Sequence, residues 1–270
     1  MYTHVYLLKI LETTMKHIAI VIPAYNEEKR IGRTLVTYLT YFNQFDPQTL
    51  QAHFIVVLNG CKDNTAHIVR DIAASTHNIH LLNLQEAGKG LAVAQGFKAA
   101  LDLQYAIDLI GFVDADMATQ PQYFHDLIQQ LDTHDGIIAS RYMPGAYVWP
   151  KRPWIKRIGC RLAYDSLVTA LFGMRYHDVQ CGAKLFKREV IAAITPYLHI
   201  RQWSFDVELL YLCQQFGFTI KEHPTVWYDQ TDSKLNIMQS GLRMPWSLVK
   251  IRMHYLRSPI QKKHKAEKTS

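Results

Sequence analysis

At 270 residues, 49% hydrophobic and 20% charged, the chain has apolar mass for one large α/β domain or two small ones, and disorder is not its default state. Cys61, Cys160, Cys181 and Cys213 form no Cys-x-x-Cys pair and the thirteen histidines no His-x-x-x-His pair, so a structural zinc site and a disulfide framework are not indicated and reduced thiols in a cytosolic setting suffice. The formal charge of +7 gathers in residues 150–175, with six Lys or Arg against Asp165, and 236–270, with eight against Glu267. No nucleic-acid-binding module accompanies that charge.

Residues 1–15 read as a leader outside the domain. Ile18 to Ile22 is a β-branched run ended by Pro23, the pattern of a buried parallel strand. Pro23-Ala24-Tyr25-Asn26-Glu27-Glu28 then leads into a helix with Ile31, Leu35, Leu39 and Phe42 inward, so the polar cluster lies where unpaired backbone N–H groups favour anions. Tyr25 can stack on a base or ribose, while Asn-Glu-Glu can equally cap the helix and complement its dipole. A second strand, His53 to Leu58, ends in Asn59-Gly60-Cys61-Lys62-Asp63-Asn64-Thr65 and a helix facing inward through Ile68, Val69 and Ile72. Asn59 and Asp63 can reach a base or ribose, or Asp63 can be an N-cap. Ile79 to Leu84 is a third strand, followed by Gly88-Lys89-Gly90 and a helix through Leu91, Ala94, Phe97 and Leu101. Gly-Lys-Gly lacks the Walker A spacing, so Lys89 offers one cation and nothing resembling an ATPase.

The fourth strand, Ile110-Gly111-Phe112-Val113, runs straight into Asp114-Ala115-Asp116. In an open α/β sheet ligands bind beyond the carboxyl ends of the strands, and two carboxylates there can converge on one hard cation with positions left for diphosphate oxygens. A solvated turn capping the next helix is the plain alternative. Pro121 opens that helix, with Tyr123, Phe124, Leu127, Ile128 and Leu131 inward, and a fifth strand, Gly136 to Ser140, ends at Arg141. Arg141 suits a phosphate in forked geometry, or a neighbouring acid. The alternation of strand and helix specifies an α/β doubly wound, mostly parallel sheet with helices on both faces.

From Pro150 the pattern changes. Trp154, Ile158, Leu162 and Leu171 mark a helix with cations on its other faces, and Gly182 within Gln180-Cys181-Gly182-Ala183-Lys184-Leu185-Phe186 lets backbone approach a ligand or a strand. Trp203-Ser204-Phe205-Asp206-Val207-Glu208 opens a helix closed by Gly217, with Ser204 as N-cap and Asp206 either serving the helix dipole or aimed into the crevice. Phe218 to His223 and Thr225 to Tyr228 read as short strands, and Asp229 to Leu235 as a polar loop. Residues 240–256 combine Leu242, Trp246, Val249, Met253 and Leu256 with Arg243, Lys250 and Arg252, an interfacial helix with Pro245 near its start; Lys262, Lys263, Lys265 and Lys268 follow. No run of about eighteen apolar residues occurs, so a transmembrane helix is not expected.

In this order, Ile22 to Glu28, Asn59 to Thr65, Gly88-Lys89-Gly90, Asp114-Ala115-Asp116, Ser140-Arg141-Tyr142, Gln180 to Phe186, Trp203 to Glu208 and Asp232-Ser233-Lys234-Leu235 resemble family 2 glycosyltransferases of the polyprenyl-phosphate type, most nearly the dolichyl-phosphate β-glucosyltransferases. The resemblance implies a GT-A domain over 16–235, with 236–270 a basic, amphipathic, membrane-associating tail. It implies Mg²⁺ or Mn²⁺ on Asp114 and Asp116, and a donor, UDP-glucose first, held by Pro23, Ala24, Tyr25, Glu27, Asn59, Asp63, Lys89 and Asp114. The acceptor, a polyprenyl phosphate, falls to Arg141, and the chemistry to Asp206 and Asp116. The implied reaction is an inverting transfer giving a β-linked lipid phosphate sugar and UDP, on the cytoplasmic face of an anionic membrane. Competing readings are another sugar, such as mannose from GDP-mannose, a non-lipid acceptor, or a nucleotide-binding module without catalysis; metal-dependent release of UDP separates the last from an enzyme.

Overall fold

A computed structural model gives the structure of the chain, describing residues 15–150, 164–202, 204–230 and 237–257, with side chains except at 237–244 and 257. The leader, the start of the expected helix at Trp154, Trp203, the 232–235 motif and the lysines beyond residue 258 lie outside the described residues.

The apolar run at the N-terminus becomes β1 (Lys16–Ala24), flanked in parallel by β2 (Leu50–Asn59) and β4 (Ile107–Val113), and β3 (Ile79–Leu84) adds to β2. With neighbours on both edges and helices on both faces, β1 is apolar from Ile18 onward: Ile18, Ile20 and Ile22 point into one core layer and Ala19 and Val21 into the other. The first layer is closed by α1 (Ile31–Phe42), α2 (Thr65–Ala73) and α4 (Pro121–Gln130). The opposite layer is closed by α3 (Lys89–Leu101) and by later helices: α5 (residues 164–172), α6 (Arg188–Ile194), α7 (Phe205–Gln215) and α8 (Ile237–Arg257).

The doubly wound, mostly parallel sheet is therefore as expected, with one strand the sequence reading left out. Ala183–Lys187 forms β7, which lies antiparallel between β4 and β5 (Gly136–Ser140), and β8 (Ile220–Pro224) completes the order β3-β2-β1-β4-β7-β5-β8. A separate parallel pair, β6 (Tyr147–Trp149) and β9 (Val226–Tyr228), covers one side of the carboxyl rim.

Three local expectations are corrected. Phe97 is buried as expected, but the rest of the buried face of α3 is Gly90, Ala92, Val93, Gly96 and Ala100, with Leu91, Ala94 and Leu101 only half-buried, because the helix lies so close to the sheet that a Cβ on Gly96 would meet Val21 Cγ1 at 2.3 Å. Ser204 makes no side-chain cap to α7; its hydroxyl meets that of Ser247 on α8. Finally, α8 starts at Ile237, so Pro245 is interior, and its apolar residues divide between two faces. Leu248, Ile251 and Tyr255 are buried in the domain core, whereas Trp246, Met253 and Leu256 face outward.

Candidate active site

Parallel strands deliver their carboxyl ends to one rim, and there the loops after β1, β2, β3, β4 and β5 surround a cleft of about 530 Å³. Pro23, Tyr25, Glu27, Asn59, Lys89, Asp114, Asp116, Arg141 and Asp206 all line it. Ala24 and Asp63 stand behind the wall. The Ala24 carbonyl accepts from Asn59 Nδ2 (3.1 Å), and Asp63 bonds the N–H groups of Glu28 (3.2 Å) and Thr65 (3.0 Å), tying the first βα loop to the second.

Asn59 is itself a staple. Its amide donates to Ala24 and accepts from the N–H of Gly88 (3.2 Å), so it holds the β1 loop to the Gly-Lys-Gly loop, and both its polar atoms meet backbone. A carboxylate could not do this, since the Ala24 carbonyl needs a donor. Asn26 takes the left-handed conformation (φ 54°), which asparagine tolerates, and its side chain accepts from Lys62 N–H at 2.8 Å. Tyr25 is thereby left exposed at the mouth of the cleft.

Inside, four carboxylates are paired with cations. Asp114 Oδ1 pairs with Lys89 Nζ at 2.5 Å, and Asp206 Oδ1 with Lys184 Nζ at 2.5 Å; the fully buried Lys184 also donates to the Cys181 carbonyl at 2.7 Å. Glu27 is bound through both oxygens by Arg30 at 2.7 and 2.8 Å. Arg141 presents its fork to the buried Asp178, Nε to Oδ2 at 2.7 Å and Nη2 to Oδ1 at 2.9 Å, and its guanidinium lies 4.9 Å from the centre of the Trp227 ring. Of the two roles open to Arg141 in the sequence, pairing with an acid is thus realised, within the cleft wall.

Asp116 is the carboxylate least compensated. Burial first, and then the charge of Asp114, push its pKa up to about 6, against the Ala118 N–H bond at 3.0 Å and the more distant Arg30 and Lys89. Burial also raises Asp206, with Lys184 and Lys89 opposing. Lys89 is held cationic: burial lowers its pKa, but Asp114, Asp206 and Asp116 together raise it. Two carboxylates on one turn, one of them fixed by a backbone N–H and strained by the other's charge, fit a divalent cation that would relieve that repulsion. Among the described residues no group of three or more His, Cys, Asp or Glu is arranged to hold a metal.

The sequence missed Arg30, Lys184, Gln202 and Trp227, which share this cleft or support it. Lys184, paired with Asp206, and Trp227, under Arg141, are brought in by long-range contacts with no local spacing to announce them, whereas Arg30 pairs locally with Glu27 at i,i+3; Lys184 is hidden inside a strand. Gly182 was read as a close approach, and it is one: its carbonyl accepts from Asp114 N–H (3.0 Å), and a Cβ there would lie 2.0 Å from Asp114 Oδ2.

A family model described as glycosyl transferase family 2 matches residues 19–195, spanning the loops of β1, β2 and β4 and both carboxylates. The chain belongs to glycosyl transferase family 2. Among similar curated proteins, this glycosyltransferase is 32% identical over 251 residues to a dolichyl-phosphate beta-glucosyltransferase of Dictyostelium discoideum, covering 89% of the chain and 75% of the relative. It is 31% identical to the protein of that name from Saccharomyces cerevisiae, covering 88% and 75%. Its fold is that of glucosyl-3-phosphoglycerate synthase from Mycobacterium tuberculosis, solved in complex with Mn²⁺, uridine-diphosphate-glucose and phosphoglyceric acid, with a TM-score of 0.62, 17% identity, and coverage of 88% of this chain and 79% of that one. The GT-A type of fold read from the sequence is therefore the fold of the glycosyltransferase. Among the described residues no helix is long and apolar enough to cross a membrane.

Proposed function

We propose that this glycosyltransferase transfers glucose from UDP-glucose to a polyprenyl phosphate of the dolichyl type, with inversion. The reading rests on one observation above all: Asp114, Asp116, Lys89, Asp206 and Arg141 line a single cleft in a chain whose curated relatives carry the name dolichyl-phosphate beta-glucosyltransferase. Asp114 and Asp116 would hold Mg²⁺ or Mn²⁺; such an ion, when bound, stabilises negative charge on the departing diphosphate. Lys89 adds a fixed cation on the same side. Tyr25 stacks on the nucleoside at the mouth, with Pro23 and Glu27 shaping the wall behind it.

In the reaction a lipid phosphate oxygen attacks the anomeric carbon, the new C–O bond forms as the bond to the diphosphate breaks, and UDP carries away the electron pair. A phosphate monoester is largely ionised near neutral pH, so the acceptor needs orientation more than a strong base. Asp206, already bound to Lys184, is accordingly assigned to positioning sugar hydroxyls. Arg141, its plane fixed by Asp178 and Trp227, is assigned to the acceptor phosphate. Delivery of the lipid falls to the outward face of α8, where exposed Trp246, Met253 and Leu256 accompany Lys250, a composition suited to an anionic membrane surface on its cytoplasmic side.

The test is a panel of labelled sugar nucleotides offered with polyprenyl phosphate and Mg²⁺ or Mn²⁺, read by extraction into organic solvent. Label from UDP-glucose should enter the solvent phase only when metal and lipid are both present. Label entering from GDP-mannose instead would overturn the donor, and release of UDP with no lipid product would overturn the acceptor.

A further inference from the structure

Glu208 does not line the cleft, yet its carboxylate is fully buried and collects three donors. The N–H of His199 reaches both oxygens (3.2 and 3.1 Å), the N–H of Ile200 reaches Oε2 at 2.8 Å, and the hydroxyl of Tyr255 on α8 reaches Oε1 at 2.8 Å. Tyr255 shares its proton with the Tyr197 carbonyl, 2.7 Å away, so α8 closes this segment at both ends. The backbone held in this way crosses directly over the start of α3. The Arg201 carbonyl accepts from Leu91 N–H at 3.2 Å, and Cβ atoms added to Gly88 and Gly90 would lie 2.5 Å from the Arg201 oxygen and 2.2 Å from the Ile200 oxygen. Glycines are required on both sides of Lys89 because this backbone rests on them.

We propose that Glu208 is a positioning residue for the donor. With Tyr255 it clamps residues 199–201 onto Gly88-Lys89-Gly90, and so fixes where Lys89 meets Asp114 and the diphosphate. The inference rests on the reading above that Lys89 and Asp114 serve the donor. It makes α8, which carries the outward apolar stripe, a structural part of the nucleotide site. A carboxylate suits the position because all three partners are donors; glutamine keeps the shape but turns an N–H₂ toward at least one of them.

The experiment measures kcat, the KM for UDP-glucose, the KM for polyprenyl phosphate and the Kd for UDP with Mg²⁺ in four proteins: wild type, Glu208→Gln, Tyr255→Phe and Ile251→Val. Ile251→Val loosens the packing of α8 without touching the hydrogen bonds. Loss of a buried charged hydrogen bond corresponds to about a tenfold effect, so Glu208→Gln should raise the UDP-glucose KM and the UDP Kd about tenfold with the acceptor KM unchanged. Tyr255→Phe should move the same two constants by a smaller factor, and Ile251→Val should leave both at the wild-type value. A residue that only stabilises the fold would lower kcat through the active fraction and leave both KM values alone, and that pattern overturns the proposal. So does an equal rise of the donor constants in Ile251→Val. If Glu208→Gln does not fold, Tyr255→Phe decides by the same criteria. Failure of wild type itself to bind UDP would overturn the functional reading instead, so the two failures are distinguishable.

Discussion

At the scale of single residues the cleft is a set of charges that only one arrangement reconciles. Asp116 carries its charge against burial and against Asp114, which is why its pKa stands near 6. A group whose folded pKa lies above its unfolded value binds protons more tightly when folded, so its contribution to stability declines as pH rises from about 4 to about 6. In EDTA at pH 7.5, Asp116→Asn should therefore melt no lower than wild type, while kcat with Mg²⁺ falls about 100-fold or more, since an amide is a poor ligand for a hard cation. Thermal melts beside initial rates check this; near wild-type turnover at saturating metal would remove Asp116 from the metal site. Gly182 supplies an independent probe. Gly182→Ala places a methyl 2.0 Å from Asp114 Oδ2, so that carboxylate must move. Turnover is expected to fall at least about tenfold with an apparent metal affinity weakened in proportion, by analogy with the loss of a group that orients a ligand; unchanged metal titration curves would refute the role given to Asp114. The two aspartates were legible because an apolar strand ran straight into them. Lys184 was not, because a lysine inside Ala183–Lys187 argues against a buried strand until Asp206, from a helix far along the chain, is seen to neutralise it.

At the scale of elements, the first four strands were readable because each is a short apolar run ended by a turn, and the loops that followed them held most of the cleft. Strand β7 escaped because its burial depends on a long-range ion pair, and the face of α3 was misread because small residues, which carry little pattern, allow the closest packing. One element-level feature was invisible in spacing altogether. His17, His53 and His80 come from three adjacent strands, β1, β2 and β3, and meet side by side: His17 Nδ1 lies 3.2 Å from His53 Nε2, and the His53 ring lies 4.2 Å from that of Tyr105. Burial, then the charges of His17 and His80, hold His53 down to a pKa of about 4. The folded state thus refuses a proton that the unfolded chain accepts near pH 6.5, and stability should fall as pH drops through that window. His53→Phe keeps a ring against Tyr105 and removes the titration. The variant should lose less of its melting temperature than wild type between pH 7 and pH 4.5, by about 5 °C. Parallel curves for the two proteins would show that this cluster does not set the acid limit of the sheet.

At the scale of the whole molecule, the proposed acceptor lies in a bilayer, and on that proposal one face of the protein meets the membrane surface. Helix α8 has two apolar faces. Leu248, Ile251 and Tyr255 bind it to the core, and Trp246, Met253 and Leu256, repeating at helical spacing on the other side, remain exposed, with Trp246 at 61%. Burying side chains of this size contributes about 1.5–3 kcal/mol each when complete, more than an exposed cation, which adds about 1 kcal/mol near anionic headgroups. The apolar stripe and the lysines at 262, 263, 265 and 268 should therefore separate by their response to salt, because only the second is screened. Co-sedimentation with vesicles containing an anionic lipid across a salt series is the measurement, using wild type, Trp246→Glu with Leu256→Glu, and the chain ended after Pro259. The double substitution should weaken binding about tenfold or more at every salt concentration, and the shortened chain should weaken it only at low salt. Both should leave the melting temperature and the release of UDP from UDP-glucose in solution near the wild-type values; Trp246 and Leu256 are exposed and do not line the cleft. Glucose transfer to polyprenyl phosphate embedded in the vesicles should fall in step with binding. Superimposable binding curves for wild type and the double variant would remove α8 as the membrane face and leave the basic segment 150–175 to carry the contact.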